Sequence, residues 1–312
     1  MTRAATPIVI DTDPALGVIH EGRPRDVDDA FAIAEALNAP DLDVLGITVT
    51  FGNAPLAAAV DVTHELIAIA GVDVPVAAGA AHAIPASGLP PATPAVSLLH
   101  ELLSRQRLRI AALGPLGNLG ALLLHYPEDA ERIDEVVIVG GRTSGRAFYL
   151  GDVGPVRDFN FENDVRAARI LLESGVPVVC AGFELSSPIS MTAAHLETIG
   201  AHGTPLARHL TDGAQPWLEH WLRSFPDDAG FHPWDSAAIA WLRTPDLIES
   251  EVRGWRIRDV EQAPRGGNPD AGAGRVPWLE TDPSMPGQLR FLTGFAPNGA
   301  DRFLANVVAN CR

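Results

Sequence analysis

Lysine is missing from this chain altogether: all 23 basic side chains among its 312 residues are arginines. That absence excludes chemistries that need a primary amine, such as Schiff-base formation or phosphate binding by a P-loop lysine. Cysteine is nearly missing as well. Cys180 and Cys311 cannot build a disulfide framework, and no second Cys or His stands at metal-ligand spacing from either. Cys180 falls in an apolar, strand-like run, where a buried free thiol is expected. The chain is 46% hydrophobic, yet no apolar run approaches the roughly 20 residues that span a bilayer. Met1–Pro7 is too short and too polar for a signal peptide, so a cytoplasmic protein with no membrane partner is expected. Positive charge is scarce too. A formal net charge of −16 would repel the phosphates of a nucleic acid, whereas it suits a neutral or cationic small substrate and a bound divalent cation.

What is present is an alternation of short β-branched runs and longer helical patterns, as a parallel sheet requires. Strands are expected at Pro7–Ile10, Asp43–Thr50, Val74–Ala77, Arg109–Leu113, Glu135–Val139 and Val176–Ala181. Helices are expected between them at Val27–Leu37, Pro55–Ala70, Ala95–Leu103, Leu116–His125 and Asn163–Glu173. In the last third, Ala193–Phe225 reads as mostly helical, Trp234–Leu242 as a helix, Glu251–Arg258 as a strand and Phe303–Ala309 as a closing helix. Gln262–Arg275, rich in Pro, Gly and Asp, reads as an exposed loop. No repeat or linker interrupts residues 1–312, so the fold class is α/β: a single doubly wound domain with a mostly parallel central sheet and a helical C-terminal elaboration. In such sheets ligands bind beyond the carboxyl ends of the strands, and polar residues concentrate there.

Asp11-Thr12-Asp13-Pro14 follows the first strand, and after the loop Ala15–Arg25 a helix opens with Asp26-Val27-Asp28-Asp29. One carboxylate at a helix start is ordinarily a cap, worth about 0.5–2 kcal/mol, and Asp26 alone would be read that way. Several carboxylates converging on one strand end repel one another unless a cation neutralises them. Hard oxygen ligands favour calcium or magnesium over zinc.

The Asp-x-Asp-Pro … Asp-Asp pattern resembles the signature of the calcium-dependent, inosine-uridine preferring nucleoside hydrolase family, and the resemblance extends over nearly the whole chain. Thr48–Asn53 is similar to the family's second strand end, and Ala112–Leu119 to its Gly-Pro-Leu-Thr-Asn segment, with Gly117 in place of threonine. Val139–Gly141 matches its Gly-Gly turn, Gly151–Asn160 its Gly-Asn … Glu-Phe-Asn run, and Trp234-Asp235 its late metal aspartate. The resemblance implies a purine nucleosidase-like N-glycosyl hydrolase that cleaves ribonucleosides to base and ribose, assembled as a homo-oligomeric dimer or tetramer. It implies Ca2+ held by Asp13, Asp29, Asp235 and the Leu113 carbonyl, with Asp13 as the base that deprotonates water. It assigns the ribose to Asp28, Asn53, Asp152, Asp158 and Asn160, and the nucleobase to Trp234. The ribosyl C–N bond breaks through an oxocarbenium-like state, which an anionic pocket favours.

Several positions depart from the family pattern. Asp152 replaces an asparagine and Asp158 a glutamate, one methylene longer. Trp234 stands where many members carry a histidine that protonates the base, and a stacked indole there points to a purine preference. His232 reads as a surface histidine or a displaced acid. Trp217, Trp221 and Phe225, at i, i+4 and i+8, read as core packing or as a wall of the base pocket. No role is assigned to His82. Ala15–Arg25 is an insertion, either a lid or a surface excursion. Haloacid-dehalogenase-like phosphatases also begin with Asp-x-Asp, but they need a Thr or Val where Ala15 stands and a later lysine. The alternative is a catalytically impaired calcium- and ribose-binding homologue.

Overall fold

Ile8, Val9 and Ile10 are all completely buried, yet they belong to two cores. They lie on β1 (Thr6–Thr12), whose side chains alternate between sheet faces, so Ile8 and Ile10 enter one hydrophobic cluster and Val9 the other. In the computed structural model, which describes residues 5–150, 153–262 and 274–312, the remaining central strands split in the same way. A sheet covered on both faces needs such continuous apolar runs.

After β1 come a small hairpin, β2 (Ile19–His20) and β3 (Arg23–Pro24), then α1 (Asp28–Asn38), β4 (Leu42–Val49), α2 (Leu56–Ala70), β5 (Val76–Ala78) and α3 (Pro94–Arg105). The chain continues through β6 (Leu108–Ala112), α4 (Gly117–His125), β7 (Ile133–Val139), β8 (Arg142–Thr143), α5 (Phe159–Asn163), α6 (Val165–Glu173) and β9 (Val178–Ala181). It ends with α7 (Phe183–Ser186), α8 (Ala193–Gly200), α9 (Pro205–Ser224), α10 (Ser236–Arg243), β10 (Ile248–Gln262), β11 (Gly274–Asp282), β12 (Leu289–Phe295) and α11 (Gly299–Asn310).

The main sheet has ten strands in the order β5-β4-β1-β6-β7-β9-β12-β10-β11-β8. The run from β5 to β12 is parallel, and β10 then pairs antiparallel with both β12 and β11. From β1 the chain first builds outward through β4 and β5, then returns to place β6 on the other side of β1. The strand order therefore reverses between β1 and β6, and the crevice beyond their carboxyl ends is where such a fold binds its ligand.

The six strands expected in the first two thirds are present within a residue or two. The last third is helical in α8 to α11, as expected, but it also adds two strands, β11 and β12, that were not anticipated. The Gln262–Arg275 stretch falls almost wholly outside the described residues, between β10 and β11. Cys180 and Cys311 are buried free thiols. No helix among the described residues is long and apolar enough to cross a membrane.

Candidate active site

Two aspartates at the end of β1 do different work. Asp11 accepts hydrogen bonds from Thr48 Oγ1 on β4 (2.6 Å) and from Asn118 Nδ2 on α4 (2.7 Å), so it ties the neighbouring elements to β1. Burial pushes its carboxyl up to about 6. Asp13 faces the crevice instead. Its Oδ2 accepts from the Asn53 backbone N–H at 2.6 Å, while its Oδ1 is buried without a hydrogen-bond partner. Two glycines make this placement possible: a Cβ at Gly52 would lie 1.8 Å from Asp13 Oδ2, and one at Gly114 would lie 2.5 Å from Oδ1. Gly52 follows β4 and Gly114 follows β6, so the strand ends on both sides of β1 are hollowed around one carboxylate.

Helix α1 brings the next two acids. Neither caps the helix, which leaves both for the crevice. Asp29 Oδ1 accepts from Thr12 Oγ1 and from the Asp13 backbone N–H (3.1 Å), and its Oδ2 accepts from Asn53 Nδ2 (3.3 Å). Asp28 Oδ2 accepts from the backbone N–H of Asp235 at 3.2 Å, a bond between residues 207 positions apart. Asp28, Asp29 and Asp235 are all buried, and each offers an oxygen within 4.8 Å of the others. Burial, reinforced by the neighbouring negative charges, holds Asp13, Asp28 and Asp235 well above the usual carboxylate range. This donor set fits a hard divalent cation: all ligands are oxygen, they converge, and a positive charge would remove the penalty of burying them together. The converging trio has Asp28 where the sequence suggests Asp13. Asp13 is hydrogen-bonded to Asp29 through its own amide, and its charge reaches Asp235.

A cavity of about 460 Å3 opens above these acids. Asn53, Asp158, Asn160 and the Leu113 segment line it, as do Trp234 and Asp235. Asn160 Nδ2 donates to the Leu113 carbonyl (2.6 Å) and to Val139 O (3.2 Å), which fixes the carbonyl expected to serve a metal. Asp158 is drawn back onto the Gly-Gly turn: Oδ2 accepts from Gly141 N–H at 2.8 Å, and a Cβ at Gly140 would sit 2.9 Å from Oδ1. Asp152 lies outside the described residues.

The other side of the cavity is aromatic. Trp234 meets Phe148 edge-on at 5.5 Å, and Phe148 stacks on Phe183 at 4.1 Å. Trp217 and Trp221 of α9 and Phe225 just after it line the cavity too, so the i, i+4, i+8 stripe forms a pocket wall as well as packing. His232 does not line it. That histidine is fully buried, with Nδ1 held 2.6 Å from Ile189 O and Nε2 3.6 Å from Asp228 Oδ2. His82 is exposed and stands apart from the cavity. The 15–25 insertion is rooted rather than loose: Leu16 is buried against Gly213 of α9, and Arg23 and Arg25 of the hairpin reach the cavity mouth.

Arg142 is the important residue that sequence reading misses. Its guanidinium is fully buried and carries no hydrogen bond. It stacks over Trp278 at 4.3 Å and lies 4.0 Å from Asp158 and 3.8 Å from Glu162. It thus places a cation directly behind Asp158. The only sequence signal is an arginine following a Gly-Gly turn at a strand end.

The model of the inosine-uridine preferring nucleoside hydrolase family matches residues 8–277. The chain belongs to that family and is an N-glycosyl hydrolase of ribonucleosides. It is similar to the pyrimidine-specific ribonucleoside hydrolase RihA of Salmonella typhimurium, with 32% identity covering 80% of this chain and 83% of the relative. The non-specific ribonucleoside hydrolase RihC of Salmonella schwarzengrund is 31% identical over 78% and 81% of the two chains. Among solved structures, a plant nucleoside hydrolase superposes with a TM-score of 0.77 at 20% identity, covering 98% of both chains. A purine-preferring ribonucleoside hydrolase from Gardnerella vaginalis gives the same TM-score and identity, covering 98% of this chain and 99% of its own.

Proposed function

We propose that the chain hydrolyses purine ribonucleosides to free base and ribose, with calcium as its metal and Asp13 as the base that deprotonates the attacking water. The observation that carries this reading is the convergence of Asp28, Asp29 and Asp235 beside an Asp13 oxygen that is buried and unpartnered. Asp13, Asp29, Asp235 and the Leu113 carbonyl would hold the ion, with Asp28 at its edge. A bound calcium supplies charge that lowers the pKa of water and draws vicinal hydroxyls into register.

The residues of the chain do the rest. Asn53 fixes the Asp13 carboxylate through its backbone N–H, so Oδ1 is aimed when it takes the proton. Asp28 and Asn53 at the cavity floor, with Asp158 and Asn160 at its side, grip the ribose hydroxyls, and Asp152 is proposed to join them. Holding the sugar in this way makes the attack on C1′ nearly intramolecular. The anionic floor favours the positive charge that develops on the sugar ring as the C1′–N bond breaks.

For the base, Trp234, squared against Phe148, supports stacking on a purine, and the aromatic α9 wall supplies apolar surface for a two-ring base. The two curated relatives are named for pyrimidine-specific and non-specific activity, so the preference has to be measured. Release of free base from inosine, guanosine, uridine and cytidine, with and without a calcium chelator, tests the reading. Faster turnover of inosine and guanosine, abolished by chelation and restored by calcium, is expected. Uridine turnover well above inosine turnover would overturn the purine preference, and chelator-resistant activity would overturn the metal.

A further inference from the structure

Breaking the C1′–N bond leaves its electron pair on the base, and a purine or pyrimidine anion departs slowly unless a proton arrives. On the cavity's base side the lining is dominated by aromatic carbon. Trp234, Phe148 and Phe183 offer no acid, and an indole N–H donates hydrogen bonds without giving up its proton. The arginines at the mouth are too weakly acidic to transfer one. Asp26 also lines the cavity, but its carboxyl is engaged at the acidic floor, with Oδ1 accepting from the Val27 N–H at 2.7 Å and a side-chain hydrogen bond to Asp28. His232 is sealed behind Trp221 and Trp234, bonded away from the cavity.

One imidazole remains among the described residues that line the cavity: His220 of α9. It sits one helical turn after Trp217 and one before Ser224, both cavity residues. Its ring is stacked on Trp217 with centroids 5.6 Å apart and planes inclined by 28°. The residue is half-buried, so the ring has access to solvent as well as to the aromatic wall. We propose that His220 is the acid that protonates the departing base. This inference rests on the hydrolase reading above.

The step balances without any further reactant. As the C1′–N bond breaks, its electrons go to the base, and the His220 imidazolium gives its proton to a ring nitrogen or exocyclic oxygen of that base. Water adds to C1′ and yields its proton to Asp13. His220 is reloaded from solvent, and Asp13 returns its proton there. The net change is nucleoside plus water to base plus ribose.

The test is leaving-group dependence. Nitrophenolate departs from p-nitrophenyl β-ribofuranoside without being protonated, whereas hypoxanthine from inosine does not. His220→Gln keeps a hydrogen-bond donor but no transferable proton. In this variant the ratio of kcat on inosine to kcat on the nitrophenyl riboside should fall about 100-fold, the lower end of general-acid effects, and His220→Ala should do the same. Activity on the nitrophenyl riboside reports that the variants are folded. If the wild type cleaves both substrates and the ratio moves less than about threefold, the proposal is overturned while the hydrolase reading stands. If the wild type cleaves neither, the hydrolase reading fails and this proposal falls with it.

Discussion

Asp13 works only because two neighbours have no side chain. With a Cβ at Gly52 placed 1.8 Å from the Asp13 carboxylate, Gly52→Ala has to displace the group proposed to take the water's proton. Misplacement of about 1 Å costs roughly 100-fold in rate. Gly52→Ala is therefore expected to lower kcat about that much while circular dichroism stays native. Arg142 makes a different demand. Replacing it with methionine leaves Asp158, Glu162 and Glu184 without their buried cation, and breaking such a cluster costs about 3–5 kcal/mol. Burial already raises Asp158 and Glu162. Removing the cation raises them further, so the destabilisation in Arg142→Met should be largest at neutral pH and should ease as the pH is lowered towards 5. Urea unfolding at the two pH values checks both the size and the sign. Both positions also show the limit of what residue letters reveal. Asp13, Asp28 and Asp29 were legible because carboxylates crowd one strand end for few reasons other than a cation, whereas Asp235, far along the chain, was legible only through the family resemblance. Gly52 was legible only as part of a motif, and Arg142 not at all, because its role depends on which groups the fold places around it.

Among the elements, the parallel strands were legible because burial on both faces writes an unbroken apolar run, as in Ile8-Val9-Ile10. β12 and β11 were not. Leu289–Phe295 breaks the alternation of a strand, with Phe291 and Leu292 both buried, and carries a glycine, and Gly274–Asp282 holds Pro277 inside the strand. Each is recognisable only through the strands it pairs with, β10 above all. What clamps this corner is Glu280. Its two oxygens accept from Arg258 Nε (2.6 Å) and Nη2 (2.9 Å), from Arg256 Nε (2.8 Å) and from the Gly145 N–H (2.8 Å). These partners hold its carboxyl down at about 2, against an ordinary 4.5. Because the folded value lies below the unfolded one, Glu280 contributes stability that is complete above pH 4.5 and is lost as the pH falls towards 2. Glu280→Gln should flatten that part of the stability–pH curve, which denaturant titrations between pH 2.5 and 6 would follow. A variant with the wild-type acid slope would refute the role of this clamp. The hairpin insertion, ambiguous as sequence, is anchored by the Leu16–Gly213 contact. Gly213→Ala, whose Cβ would meet Leu16 Cγ at 2.7 Å, should raise KM more than it lowers kcat, since the loop carries Arg23 and Arg25 at the cavity mouth.

At the scale of the whole molecule, the proposed calcium is a ligand of the native state alone, because α1 and α10 bring its carboxylates together only after folding. At a hundredfold excess over its dissociation constant, such a ligand adds about 2.7 kcal/mol. For a chain of this length that raises Tm by about 4 °C. Calorimetry with calcium and with chelator should show that difference, and an Asp235→Ala variant should show none. The same geometry has a consequence for synthesis of the chain. A nascent or truncated polypeptide that has emerged through α1 but not yet α10 carries Asp28 and Asp29 without Asp235, and so has no complete cation site. On the proposed reading, metal occupancy would record completion: a chain lacking Asp235 would hold no complete site, and catalysis would begin only when the last third has docked.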